Sequence, residues 1–160
     1  MADLIIINTG PLIALERAGA LDLPASMAVR FVCPAQVQRE LEEGHEAGYP
    51  RIEPGWLDVM ELATEPSPAV EAALDQGEAA VIQLAIERRA TGVCIDEWRG
   101  RRVARASGLT VLGSLALMGM AKRAGLIEAV APLVERAVQA GIRYHPTLVQ
   151  AVLEELGGTD

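Results

Sequence analysis

The sequence predicts a three-layer α/β/α sandwich: a parallel sheet with helices on both faces, followed by a helical C-terminal extension. Three observations carry this expectation. Short apolar runs alternate with helical patterns, which is the signature of a parallel sheet whose faces are covered by the intervening helices. The first run, Leu4-Ile5-Ile6-Ile7, does not alternate with polar residues, so both faces of that strand belong in the core. The chain is 51% hydrophobic but only 3% aromatic, and a core of Ala, Val, Ile and Leu suits helices packed on such a sheet. With 160 residues the expectation is a single domain over residues 1–160, with residues 114–160 forming a mainly helical part packed on it.

The elements follow in order. After the strand Leu4 to Ile7, Gly10-Pro11 starts a helix, because proline fits a first turn, and Gly19 stops it after about Ala18. Arg30 to Cys33 reads as a second strand. Pro34 then opens a helix that carries Val37 and Leu41 on one face and ends near Gly44. The stretch His45 to Gly55 is rich in Gly and Pro and reads as loop. Trp56 to Leu62 reads as a third strand, and its polar Asp58 and Glu61 fit a sheet edge. Ser67-Pro68 is a cap and first-turn pair for a short helix to Leu74. Asp75-Gln76-Gly77 reads as a break, after which Glu78 begins a helix to about Arg89. Val93 to Ile95 is the next strand, ending at Asp96, and a basic helix runs on to Ser107. The last strand spans Thr110 to Leu112. Helices are expected from Ser114 to Gly125, from about Ile127 to Ala140, and from Pro146 to Leu156, where Gly157-Gly158 closes the chain's last helix.

A net charge of -8 argues against a protein that coats nucleic acid by bulk attraction, while leaving room for a local basic patch. The N-terminus lacks the basic start and long apolar core of a signal peptide. No apolar run approaches the roughly 18 residues of a membrane helix, so the expectation is a cytoplasmic protein with no membrane partner. Cys33 and Cys94 lie in strand-like runs without metal spacing and read as buried free thiols, with a disulfide between neighbouring strands as the lesser reading. His45 and His145 are isolated, and solvated or capping roles suit them better than metal ligation. The Walker lysine motif, the dinucleotide glycine fingerprint and HExxH are all absent.

Four positions carry the candidate chemistry. Asn8 and Asp96 each stand just past an apolar strand, so parallel strands bring both to the carboxyl edge of the sheet, where open α/β sheets place their sites. Asp96 has an equally good plain reading as the N-cap of the helix that follows it. Glu78 lies three, four and seven residues before Val81, Ile82 and Ala85, so it heads the apolar face of its helix and points toward the sheet. A first-turn acid favoured by the helix dipole is the plain alternative there. Glu40 shares a face with Val37 but sits among Glu42, Glu43 and Glu46, where a solvated acidic helix is the default. Several hard oxygen ligands around one cleft suit Mg²⁺ or Mn²⁺ and phosphodiester hydrolysis. Arg99, Arg101, Arg102 and Arg105 form the densest positive cluster and sit where a nucleic-acid backbone would approach Asp96. Salt bridging to surface acids is the plain reading of that cluster.

Taken together, these residues resemble the PIN domain family of metal-dependent nucleases, in particular a prokaryotic branch of predicted nucleic-acid-binding proteins similar to toxin–antitoxin ribonucleases. The matching pieces are Asn8-Thr9-Gly10-Pro11-Leu12-Ile13, Val32-Cys33-Pro34 leading to Glu40-Leu41, Gly77-Glu78-Ala79-Ala80, Ile95-Asp96-Glu97 and the turn Leu112-Gly113-Ser114. Their order and spacing cover nearly the whole chain. The resemblance implies a PIN-like fold and places the family's acids at Asn8, Glu40, Glu78 and Asp96, with Thr9 in its hydroxyl position and Glu97 as a further oxygen for the metal. It raises Glu40 above what periodicity alone gives it. The departure is Asn8, where the family pattern has aspartate: the amide keeps an oxygen and loses a charge. What is implied is a Mg²⁺- or Mn²⁺-dependent endoribonuclease, with RNA as substrate, a toxin role and an antitoxin protein as partner. The alternative is an inactive module on the same fold that binds RNA or a partner protein. The apolar helices after Ser114 suit either a homodimer surface or the outer layer of the core.

Overall fold

The computed structural model describes residues 3–156. Its centre is a five-stranded sheet of β1 (Asp3–Ile7), β2 (Val29–Pro34), β3 (Leu57–Met60), β4 (Gly92–Cys94) and β5 (Val111–Leu112) in the order β3-β2-β1-β4-β5. Every pairing is parallel, with Ile5 beside Phe31 on one side and Gly92 on the other. Ile5, Ile6 and Ile7 are all buried, as a strand covered on both faces requires. The expected α/β architecture is therefore the observed one. β3 is the edge strand that its polar positions predicted, although it closes at Met60 rather than Leu62.

The helices among the described residues are α1 (Thr9–Arg17), α2 (Ala35–Glu46), α3 (Pro68–Ala73), α4 (Gln76–Arg88), α5 (Trp98–Ala106), α6 (Ser114–Arg123), α7 (Ala131–Gln139) and α8 (Pro146–Glu155), with a 3₁₀ turn at Leu23–Ser26. The central helix is α4, which packs across β1, β2 and β4 and buries Val81, Ile82, Leu84 and Ala85. Both α6 and α7 pack against α1, and their Leu117, Met118, Val134 and Ala137 are buried, so these two helices form an outer layer of the core. Among the described residues no helix is long and apolar enough to cross a membrane.

Other boundaries also differ from the sequence expectation, and three of them have a clear local reason. Helix α2 runs through Gly44 to Glu46, and the chain turns instead at Gly48, whose φ of 105° is open to glycine alone at little cost. Helix α4 starts at Gln76 because Asp75-Gln76-Gly77-Glu78 is a capping box and not a break. Helix α7 starts at Ala131, not Ile127: Pro132 has no N–H and is tolerated only in a first turn, so nothing helical can precede it closely. Strand β4 ends at Cys94, one residue before the expected Ile95. The predicted closure of the last helix at Gly157-Gly158 lies outside the described residues.

Cys33 and Cys94 are buried free thiols. They sit on β2 and β4 with β1 between them, so a disulfide has no neighbouring-strand geometry to use. His145 caps α8, its Nδ1 accepting from the Thr147 N–H at 3.2 Å, and the exposed His45 sits with Nδ1 3.2 Å from the Tyr49 carbonyl.

Because β1 is closed on both faces and both edges, Ile6→Ala should cost roughly 2–5 kcal/mol in denaturant unfolding. Val59→Thr on the exposed edge strand should stay within about 0.5 kcal/mol of the parent. Equal losses from the two would contradict the packing described.

Candidate functional site

The candidate residues gather at the carboxyl edge of the sheet, around the turn that leaves β1. Asn8 occupies the N-cap position of α1, where an asparagine side chain ordinarily accepts a bond from the helix. It makes no such bond. Its backbone N–H is held by the Cys94 carbonyl at 3.0 Å, its side chain is 6% exposed, and Oδ1 has no hydrogen-bond donor. A buried amide oxygen without a partner costs about 1–3 kcal/mol, and Gln36 Oε1 is in the same condition.

Thr9, next in the chain, donates its hydroxyl to Glu40 Oε2 at 2.8 Å. This contact brings Glu40 out of the acidic surface of α2 and into the site, which periodicity alone did not indicate. Burial holds the Glu40 carboxyl above its ordinary range, against the lowering effect of the Thr9 bond.

Glu78 is 5% exposed and divides its two oxygens. Oε1 faces the Asp75 N–H at 3.4 Å, while Asp75 Oδ1 accepts from the Glu78 N–H at 2.8 Å. Oε2 is buried with no partner. The plain and functional readings of Glu78 therefore hold at once: one oxygen caps the helix and the other is spare. Burial first, then the neighbouring Asp75 and Glu97, push its carboxyl from 4.5 up to about 7.

Asp96 does not cap α5; Glu97 holds that position and makes no cap bond. Asp96 reaches instead to the start of α6, accepting from the Ser114 N–H at 2.8 Å and the Ser114 hydroxyl at 2.7 Å. A carboxylate at a helix N-terminus is favoured by the aligned peptide dipoles. Burial still raises its pKa, opposed by Ser114 and by the Arg101 charge. Ser114 Oγ in turn lies 2.5 Å from the Tyr144 hydroxyl.

Each carboxylate rests against a glycine. A methyl on Gly77 would overlap Glu40 Oε1, one on Gly100 would stand 2.6 Å from Glu78 Oε2, and one on Gly113 would stand 2.7 Å from Asp96 Oδ1. Gly10 packs toward Asp96 from the α1 side, with its would-be methyl 4.0 Å from the Asp96 Cβ. The turn Asn8-Thr9-Gly10 thus touches Glu40 through Thr9 and Asp96 through Gly10, and Gly77 links Glu40 to Glu78.

The four positions do not share one open cavity. A cleft of about 610 Å³ is lined by Gly10, Asp96, Glu97, Trp98, Tyr144 and His145, among others. Glu40 faces a separate depression of about 210 Å³ with Ile13, Arg17 and Tyr49. Among the described residues no three His, Cys, Asp or Glu side chains form a ready cage for an ion. The donor set nevertheless fits Mg²⁺ or Mn²⁺. Such an ion keeps several waters and needs only one or two carboxylates beside a substrate phosphate, and the spare, buried Asn8 Oδ1 and Glu78 Oε2 are hard oxygen donors.

The predicted basic cluster divides. Arg101 is half-buried and donates Nη1 to the Ile95 carbonyl at 2.8 Å, beside Asp96, so it serves the site's own framework. Arg99, Arg102 and Arg105 are exposed. Sequence reasoning missed Asp75, Ser114, Tyr144 and Trp98 as parts of this region. The Asp-x-x-Glu capping pattern was there to be read. Tyr144 had no local signal, since its contact with Ser114 spans 30 positions.

These features define an α/β protein with desolvated acids at the carboxyl edge of a parallel sheet. The chain belongs to the PIN domain family: the family model DUF3368, a PIN domain, matches residues 4–158. PIN domains generally have nuclease activity and generally depend on a divalent metal. Among solved structures, a PilT N-terminus domain protein from the hyperthermophilic archaeon Sulfolobus solfataricus P2 is 12% identical, covering 89% of this chain and 99% of that one at a TM-score of 0.48. No curated protein matches it in sequence.

Two outcomes are expected. Below pH 4.5 Glu78 is protonated in both folded and unfolded chains; between 4.5 and about 7 only the folded chain keeps the proton. The metal-free protein should therefore lose stability as pH rises through that window. Glu78→Gln preserves the capping box and should flatten this part of the melting-temperature profile, so an unchanged profile would count against the desolvated carboxyl. Separately, Gly77→Ala should leave unfolding within about 1 kcal/mol of the parent, since alanine favours the helix. It should weaken Mn²⁺ binding, measured calorimetrically, about as much as Glu40→Gln, because the methyl evicts the Glu40 carboxylate.

Proposed function

We propose that this PIN domain is a metal-dependent endoribonuclease. The observation that carries the reading is the pair of buried, unpartnered oxygens, Asn8 Oδ1 and Glu78 Oε2, beside two further desolvated carboxylates. Asn8, Glu40, Glu78 and Asp96 would hold Mg²⁺ or Mn²⁺, with Glu97 at the rim of the cleft. When bound, the ion supplies a water of lowered pKa and neutralises charge on the phosphate oxygens. The chain's own part is placement. Thr9 fixes Glu40, Ser114 fixes Asp96 at the α6 N-terminus, and Asp75 fixes Glu78, so each side chain is held at the carboxyl edge by its own hydrogen bond. In the hydrolysis itself, water oxygen bonds to phosphorus, one P–O ester bond breaks, and the water's proton would pass by way of the acidic edge to the departing oxygen. Arg99, Arg102 and Arg105 would receive the RNA backbone outside the acidic edge. The same reading extends to the toxin of a toxin–antitoxin pair, with an antitoxin protein as partner.

One observation favours a second reading. Asn8 removes a charge from the site, and a module that binds RNA or a partner protein without cutting has no need of that charge.

The two readings separate in Mn²⁺-dependent cleavage of RNA. The nuclease reading expects cutting by the parent chain, a loss of at least about 100-fold for Asp96→Asn, and faster cutting by Asn8→Asp, since electrostatic groups at such sites are worth about that much. Cleavage by Asn8→Asp alone would mark the natural chain as inactive. No cleavage and no ion binding by either would remove the site assignment.

A further inference from the structure

Trp98 is an aromatic residue that the fold does not use. The chain has two Trp, two Tyr and one Phe. Phe31 and Trp56 meet edge-on with centroids 5.4 Å apart, and the Trp56 ring N–H donates to the Leu21 carbonyl at 2.8 Å. Tyr144 is bonded to Ser114, and Tyr49 is exposed on the far side of Glu40, beside Ile13 and Arg17. Trp98 is 69% exposed at the first position of α5, on the lip of the cleft that holds Asp96 and Glu97. Leaving an indole in water forgoes more burial energy than leaving out any other side chain.

Its neighbours give it a context. Trp98, Arg101, Arg102 and Arg105 recur at helical spacing and share one face of α5, while Gly100 and Ala104 bury the opposite one. The Arg102 guanidinium stands 5.4 Å from the Trp98 ring centroid, within cation–π range. The cleft beside the ring adds apolar surface from Val111, Leu112 and Ile142.

We propose that Trp98 and the Arg102–Arg105 face form a stacking platform for single-stranded nucleic acid. An unpaired base lies on the indole, and the adjoining phosphates follow the exposed arginines. The inference deepens the nuclease reading and rests on it for the role of the neighbouring acids. Three arguments select the ligand. A flat aromatic beside a row of guanidinium groups is the chemistry that proteins use to hold single strands, where every base offers a π face. A duplex is excluded as the preferred ligand because its bases are already stacked on one another. In a chain of net charge -8, local arginines beside an aromatic serve a polyanion better than any bulk attraction does.

The test uses the whole chain in EDTA, so that binding is read without cleavage. Its probes are oligouridylate, oligodeoxythymidylate and a duplex of mixed sequence. Trp98 is the exposed indole and Trp56 is half-buried against Phe31, so either single strand should quench the emission, while the duplex should not. Trp98→Ala should bind single strands roughly 5- to 150-fold more weakly, the worth of one base–aromatic stack, and Trp98→Tyr should recover most of the loss. Arg102→Ala should weaken binding and reduce its salt dependence. Preference for one single strand over the other identifies the sugar and supports the platform in either case.

Equal affinity of parent and Trp98→Ala, or equal quenching by the duplex, overturns the proposal. No response to any oligonucleotide also overturns it and leaves the exposed ring to a protein partner. The two readings fail separately. A parent chain that cuts RNA in Mn²⁺ while Trp98→Ala binds unchanged loses only the platform. A parent chain that binds through Trp98 but never cuts loses only the nuclease.

Discussion

The parallel pairing of β1 with β2 on one side and β4 on the other governs the placement of everything described above. It puts the carboxyl ends of all three strands at one edge, and the chain leaves each of them into a turn or a helix. Asn8 follows β1 and Asp96 follows β4, so residues 88 positions apart in sequence meet across a single strand spacing. The same edge gathers helix N-termini, where backbone N–H groups lack internal acceptors and negative charge is welcome. Asp96 uses this directly at α6, and Glu78 uses it at α4.

Gathering acids there is costly, and the local structure shows how the cost is carried. Burial raises the pKa of Glu40, Glu78 and Asp96 alike, which means that each carboxylate is less comfortable in the folded chain than in water. Hydrogen bonds oppose this: from the Thr9 hydroxyl to Glu40, from Ser114 to Asp96, and from the Asp75 N–H to Glu78, where the Asp75 side chain works in the other direction. A glycine makes room for each, and two of these, Gly77 and Gly100, lie inside helices, where glycine is about 0.5–1 kcal/mol worse than alanine. Local stability has been given up at the positions that shape the acidic edge.

Asn8 gains a physical meaning in this setting. An aspartate there would add another negative charge to a desolvated group of acids. The amide keeps a buried, unpaired oxygen while sparing that repulsion. The amide in this position therefore lowers the negative charge gathered at the sheet edge.

The sequence alone determined the alternation of strands and helices, the double-sided burial of Ile5 to Ile7, and the inward face of Glu78. Each depends on periodicity or on residues within one or two turns. The glycine stop at Gly19 and the cap at Ser67 were legible for the same reason. The start of α4 was legible too, in the Asp75-to-Glu78 spacing, but the glycine beside it looked like a break. Only the tertiary structure decided that Glu40 bonds to Thr9, that Asp96 anchors α6 and not α5, that Arg101 is spent on Ile95, and that Trp98 is left in solvent. These outcomes turn on contacts between residues up to 31 positions apart, brought together by strand order and helix packing, and no local pattern encodes such distances.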